Sequence, residues 1–303
     1  MGVFSEGSDV MTAPRRWSQV IALGLAALMF WGVISQPEGP LETGEDGLFY
    51  AMLIALIAVF CGLCFLALKL GTAGSTVYWR ADAGSKQVKR IALMVGVALA
   101  IQLCVDATLI VSGNSSELSA TITGLLVWTL VPAAFLWSGL VTWPRRMSRP
   151  SWFRLLLASV VAIGLAAAFT YQSVLISAPE TPSFGELSVM FARLVVAAGA
   201  EEIVFRVLLL TALLDIGLSR FQAVFLSGVV FAAGHAPLAM AQPITLGDWS
   251  LLQHAIDLYG EAFLAQVTVG VGLGVLWLRT GSIALVTLTH ALFNVGAALA
   301  GNI

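Results

Sequence analysis

Residues 188–214 read SVMFARLVVAAGAEEIVFRVLLLTALL, and this stretch decides how the chain is approached. As one helix it is about 40 Å long at 1.5 Å per residue, more than the roughly 30 Å of a bilayer's hydrocarbon core. Its only charges are Arg193, Glu201, Glu202 and Arg206. The chain around it is of the same kind. Of 303 residues, 59% are apolar and 11% charged, with a mean hydropathy of +0.93. Soluble domains carry about 25% charged residues. Apolar segments stand at about 17–35, 48–70, 91–112, 122–143, 153–177, 188–214, 222–241, 260–278 and 281–300. The expected fold is all-α, a polytopic transmembrane helical bundle of about eight or nine spans.

Charge placement gives this bundle an orientation. Arg15, Arg16, Lys69, Arg80, Lys86, Lys89, Arg90, Arg145, Arg146, Arg149, Arg154, Arg220 and Arg279 fall on one side, while the alternate loops, about 38–46, 115–119, 179–186 and 243–259, hold no Lys or Arg. Cytoplasmic loops carry the basic excess, which puts the N-terminus in the cytoplasm and, with nine spans, the C-terminus outside. A plasma or inner membrane is the expected location. Trp17, Trp79, Trp143, Trp152 and Trp277 lie near the basic ends, as an interfacial belt would. Residues 1–14, polar with Gly and Ser, are expected to form a disordered cytoplasmic tail. Segment 17–35 is read as a signal anchor, because no small-x-small cleavage site follows it. A net charge of −2 without a long basic run excludes nucleic acid as a partner. Cys61, Cys64 and Cys104 make no disulfide framework.

Arg193 and Arg206 are the basic residues left inside a span. Each charge in hydrocarbon costs roughly 2.5–3.5 kcal/mol on an insertion scale, so the Glu201-Glu202-x-x-x-Arg206 block needs a reason. A structural ion pair accounts for one acid and one base and leaves an acid over. Glu202 and Arg206, four apart with the acid first, share a face; Glu201 is turned about 100° from it. Glu202 and Arg206 are therefore expected to form a supporting pair, and Glu201 to face a polar cavity. Two other segments offer partners at similar depth, Phe231-x-x-x-His235 and His290-x-x-x-Asn294. Counted from the basic side, Glu201, His235 and Asn294 lie at about 20 Å and His290 at about 14 Å. The four groups are expected in one layer.

A buried carboxylate with a histidine takes a proton from water, and a second histidine with an amide donates to a developing oxyanion. These are parts for hydrolysing an amide without a covalent nucleophile. The sequence has no Gly-x-Ser-x-Gly elbow and no HExxH. In this order on separate hydrophobic segments, the blocks EExxxR, FxxxH and HxxxN resemble the CPBP family of intramembrane proteases, the type II CAAX prenyl endopeptidases and bacteriocin-processing or self-immunity proteins. The likeness covers about residues 190–300. It implies that Glu201 and His235 activate water, that His290 and Asn294 stabilise the oxyanion, and that Glu202, Arg206 and Phe231 support them. It leaves a glutamate-type and a metal-dependent enzyme both open. No cofactor is required for the first, and zinc in the second would sit at Glu201, His235 and His290. Val207 departs from the Gly that many relatives have after the Arg. Residues 188–303 are accordingly expected to form the catalytic core and 15–187 a set of five N-terminal spans. The partners implied are a peptide or membrane-protein substrate and the lipid bilayer; whether the substrate is prenylated, and the oligomeric state, are left open.

Two rival readings use the same residues. A proton-coupled carrier would show broken helices or repeated halves, and a non-catalytic scaffold or immunity protein would keep the charges as structure. Outside the blocks, Gln102 and Asp106 are expected to bond to a neighbour, His254 to be a solvated loop residue, and Arg193 to snorkel outward. Gly228, Gly234, Gly270 and Gly274 are expected to serve close helix packing.

Overall fold

The computed structural model describes residues 84–113, 117–177, 183–247 and 249–299, together with 18, 20–25, 27, 55, 59, 62, 66, 69–73, 75 and 77–81; over 117–123, 173–177, 238–239, 242–243 and 249–262 it describes the backbone course alone. The tail expected over 1–14, as well as Cys61 and Cys64, lies outside these residues. The described chain is all-α apart from one short ladder. Its helices are α1 (Gly84–Val111), α2 (Glu117–Trp137), α3 (Trp152–Ser177), α4 (Phe184–Glu202), α5 (Thr211–Asp215), α6 (Arg220–Ala233), α7 (Ala236–Leu246), α8 (Trp249–Thr280) and α9 (Ile283–Leu299). A π-helical stretch, Ile203–Leu210, joins α4 to α5. Among the described residues three helical runs are long and apolar enough to cross a membrane, Gly84–Val111, Trp152–Gln172 and Phe263–Thr280, and Gly124–Trp137, Arg220–Ala233 and Ile283–Leu299 are shorter apolar helices. The segments expected at 17–35 and 48–70 fall largely outside the described residues.

Local sequence explains where the site helices start and stop. Ser183 caps α4 and Glu186 reaches back to it, a reciprocal capping box that spares two orphan amides; Ser219 and Gln222 do the same for α6. The segment expected to run unbroken over 222–241 is two helices. Pro237, in the first turn of α7, has no N–H to offer Ala233, so α6 ends. His235 stands at the joint, its amide bonded to the carbonyl of Ala232 at 3.0 Å. The stretch 243–259, expected to be an outer loop, is also helical: α7 runs to Leu246 and α8 begins at Trp249.

Helix α9 packs between α3 and α4, and α8 lies along α6. Small residues set these distances. A Cβ on Gly270 would stand 3.0 Å from the Cα of Gly228 and 2.9 Å from Cδ1 of Phe231, and one on Gly274 would be 3.0 Å from Val224. The expectation of close packing for these glycines is met. Phe205, Leu208, Val224, Phe231 and Leu273 fill the core between these helices and the π-helical stretch.

At the basic end, β1 (Trp79–Arg80) pairs antiparallel with β2 (Arg145–Arg146), with Trp79 opposite Arg146. Trp79 stacks on Trp277 at 5.5 Å. Trp277 is buried, so it belongs to the core and not to the interfacial belt expected of it, whereas Trp143 and Trp152 are exposed as a belt requires.

Candidate active site

The Glu202–Arg206 pair forms as the spacing predicts, with Nε of Arg206 3.1 Å from Oε2 of Glu202 and both side chains fully enclosed. This contact is an ion pair without hydrogen-bond alignment. Two further contacts hold the guanidinium: its Nη2 donates to the carbonyl of Gly270 at 3.2 Å, and its Cζ lies 4.5 Å from the centre of the Phe231 ring. The backbone carbonyl of Arg206 accepts from Thr211 Oγ1 at 3.3 Å. The missing side chain at Gly270 is what lets Phe231 and the backbone of Gly228 come close to it.

The acid left over by that pair finds its partner in His290. Its Nδ1 is 2.9 Å from Oε1 of Glu202, and its Nε2 is 3.8 Å from Oε2 of Glu201. Glu202 thus binds a cation on one oxygen and an imidazole on the other. A carboxylate accepts only, so the proton of the short contact belongs to Nδ1 of His290, and Nε2 is turned toward Glu201. The two glutamates differ as the helical rotation requires: the side chain of Glu201 is 20% exposed and that of Glu202 1%. Oε2 of Glu201 has no hydrogen bond among the described residues.

Phe231 joins the second histidine to this group. It lies edge-to-face with His290 at 5.4 Å, with His235 at 5.0 Å and with Phe205 at 5.4 Å. Nδ1 of His235 meets the carbonyl of Phe231 at 3.2 Å. A carbonyl has no proton to give, so Nδ1 is the donor and Nε2 carries the lone pair of the neutral ring. Asn294 is half-buried one turn beyond His290 on α9 and makes no hydrogen bond to the described residues. Glu201, Glu202, Arg206, Phe231, His235 and His290 are thus joined in one network, while Asn294 is tied to it by its helix alone.

Sequence reasoning missed the π-helical stretch that follows the two glutamates. Wider turns of this kind free backbone carbonyls and recur at functional sites. Here buried Ser227 donates from Oγ to the carbonyl of Phe205 at 2.8 Å. Ser227 lies one turn before Phe231 in the sequence, which was the available signal. The remaining candidates are structural or peripheral. Gln102 donates to both oxygens of Asp106 at 2.9 Å, as expected of a local bond, and Arg193 is exposed. His254 lies within α8 and not in a loop; its side chain is outside the described set.

The zinc reading needs three donors around one point. Among the described residues no three His, Cys, Asp or Glu side chains are so grouped, and the short contact of His290 goes to Glu202, which is itself held by Arg206. The trio Glu201, His235 and His290 does not form a ligand shell as placed.

An all-α membrane chain with a buried carboxylate and imidazole cluster is the class that the fold and the site define. Residues 183–296 match the family model described as type II CAAX prenyl endopeptidase Rce1-like, which spans every site residue named above. Over this segment the chain is similar to the CPBP family of intramembrane proteases. Residues 1–182 lie outside the match. No curated protein and no solved structure matches the chain.

Proposed function

We propose that the chain is an intramembrane endopeptidase of the glutamate type, hydrolysing a peptide bond with a water activated by Glu201 and His235. The observation that carries this reading is the placement of His290 between Glu202 at 2.9 Å and Glu201 at 3.8 Å, with both His290 and His235 edge-to-face on the same Phe231 ring. Nε2 of His235 accepts the proton of water, since Nδ1 is tied to the Phe231 carbonyl. The hydroxide adds to the substrate carbonyl. The oxyanion that forms accepts hydrogen bonds from the carboxamide of Asn294 and from Nε2–H of a doubly protonated His290, whose Nδ1–H stays on Glu202. The proton then passes to the leaving amine and the C–N bond breaks, with Glu201 as the relay. Glu202 and Arg206 reach no reacting atom; they hold His290 in place.

The substrate is a peptide or membrane protein presented in the bilayer, and the distribution of Lys and Arg puts the N-terminus in the cytoplasm. The test is peptide-bond cleavage by purified protein in detergent. Glu201→Ala and His235→Ala abolish turnover while the protein remains folded, and treatment with a chelator leaves cleavage intact. Cleavage at the parent rate by both variants rejects the assignment; loss to chelation with recovery on adding zinc rejects the metal-free version.

A further inference from the structure

Away from this cluster, the basic end of the bundle carries a concentration of guanidinium groups that peptide hydrolysis does not use. Between Ser138 and Arg154 the sequence places Arg145, Arg146, Arg149 and Arg154 and no acid. Their side chains are exposed. Arg146 and Arg154 are nonetheless fixed. Arg146 lies over the ring of Trp79 at 5.7 Å and donates from Nε to the carbonyl of Ser148 at 3.1 Å. Arg154 donates from Nη1 to the hydroxyl of Tyr78 at 3.0 Å. Every one of these anchors is neutral. They orient the guanidinium planes and leave the charge uncompensated, and Arg149, between them in the chain, makes no hydrogen bond to the described residues.

The support behind these groups is firm. Met147 N donates to the carbonyl of Tyr78 at 2.8 Å, and Nε1 of Trp79 donates to the carbonyl of Gly281 at 3.0 Å, so the ladder β1–β2 is fastened to the start of α9. The surroundings fix the depth. Helix α3, long and apolar enough to cross a membrane, begins at Trp152, which is 75% exposed, and Phe153 beside it is 62% exposed. Exposed aromatic rings at the end of a spanning helix sit at the level of lipid headgroups.

We propose that the β1–β2 ladder and the turn after it form a seat for the phosphate of an anionic phospholipid, bound by Arg146, Arg149 and Arg154 with its acyl chains against Trp152 and Phe153. Guanidinium forks match the paired oxygens of a phosphate, and held planes lose little freedom on binding. A zwitterionic lipid offers the same phosphate with its charge cancelled, so the seat prefers a headgroup of net negative charge. This site does not depend on the protease reading, and its occupancy is measured without a substrate.

The experiment uses the full-length chain in neutral detergent, titrated with phosphatidylglycerol or phosphatidylcholine, with bound lipid counted by native mass spectrometry and the unfolding midpoint followed in parallel. Phosphatidylglycerol binds and raises the midpoint, and phosphatidylcholine does neither. Each arginine removed weakens binding about fivefold, so Arg149→Gln/Arg154→Gln loses about 25-fold. Because Arg154 touches Tyr78, Arg149→Glu serves as the second variant; its side chain supports nothing in the fold and it loses at least as much as one neutral substitution. Retention of phosphatidylglycerol by both variants at parent affinity overturns the proposal. Equal binding of phosphatidylcholine also overturns it, and so does inorganic phosphate that binds as tightly as the lipid, which would mark a free-anion site.

Discussion

Two adjacent glutamates with opposite duties allow a sharp comparison of Glu202→Gln and Glu201→Gln. Glu202 is enclosed between Arg206 and His290, so neutralising it leaves a fully buried guanidinium with only a carbonyl and a ring face for company. Removing one partner of a buried pair costs about 3–5 kcal/mol. Glu201 is partly exposed, has no hydrogen bond on Oε2 and stands 3.8 Å from its nearest ionic partner, so the same change there costs under about 1 kcal/mol. Activity runs the other way. Glu201→Gln loses about 10²–10⁴ in turnover as a proton-transfer group, measured on the fraction still folded. Equilibrium unfolding in mixed micelles, followed by tryptophan fluorescence, gives the stabilities, and peptide release gives the rates. If the two variants are destabilised equally, or if Glu201→Gln is the less stable, the assignment of Glu202 as support and Glu201 as reactant is wrong.

Gly270→Ala puts a methyl 2.9 Å from Phe231 Cδ1 and 3.0 Å from Gly228 Cα, and overpacking of that kind costs about 1–3 kcal/mol; the unfolding midpoint falls, and turnover falls with it as Phe231 is displaced. Phe231→Ala opens a cavity where three rings and a guanidinium meet and costs about 3–5 kcal/mol by the same unfolding measurement. Ser227→Ala strands the buried Phe205 carbonyl at a cost of about 1–3 kcal/mol, and hydrogen exchange quickens over residues 203–210. The Ser183 hydroxyl, and then the Ser183 backbone N–H, hold the Glu186 carboxyl below its ordinary range. A lowered folded value means that this contribution is present above the unfolded carboxyl pKa and is lost as pH falls through the folded one. Ser183→Ala removes that acid-side dependence from the helicity of α4, read by circular dichroism across the acid range.

What the sequence made legible was short in range. Glu202 and Arg206 meet because four residues make one helical turn, and Glu201 is set apart from them by the same rotation. Phe231 and His235 face each other on that account, even though the helix breaks between them. The break itself was readable from Pro237, whose missing N–H outweighs the hydrophobic run around it. The bond between His290 and Glu202 was not readable, because it joins positions 88 residues apart and depends on how α9 lies against α4. Depth counting put His290 in a layer with Glu201, from which it stands 3.8 Å, and gave no hint of the shorter contact to Glu202. The π-helical stretch was hidden for a related reason: it is stabilised by a hydroxyl on another helix. The ladder at the basic end left no alternating pattern, since two residues per strand are too few to show one.

The joint at His235 couples backbone continuity to acid–base chemistry. In an unbroken helix the carbonyl of Phe231 would accept the peptide N–H of residue 235; here that N–H goes to Ala232, and the oxygen accepts from the N–H of Gly234 at 3.0 Å and from the imidazole at 3.2 Å. The proton on Nδ1 is therefore held at a helix end that a proline two positions downstream produces. Substituting Pro237 with a strong helix former would let the two segments fuse, bring the N–H of residue 235 back to that oxygen in place of the imidazole, and leave the ring free to exchange tautomers.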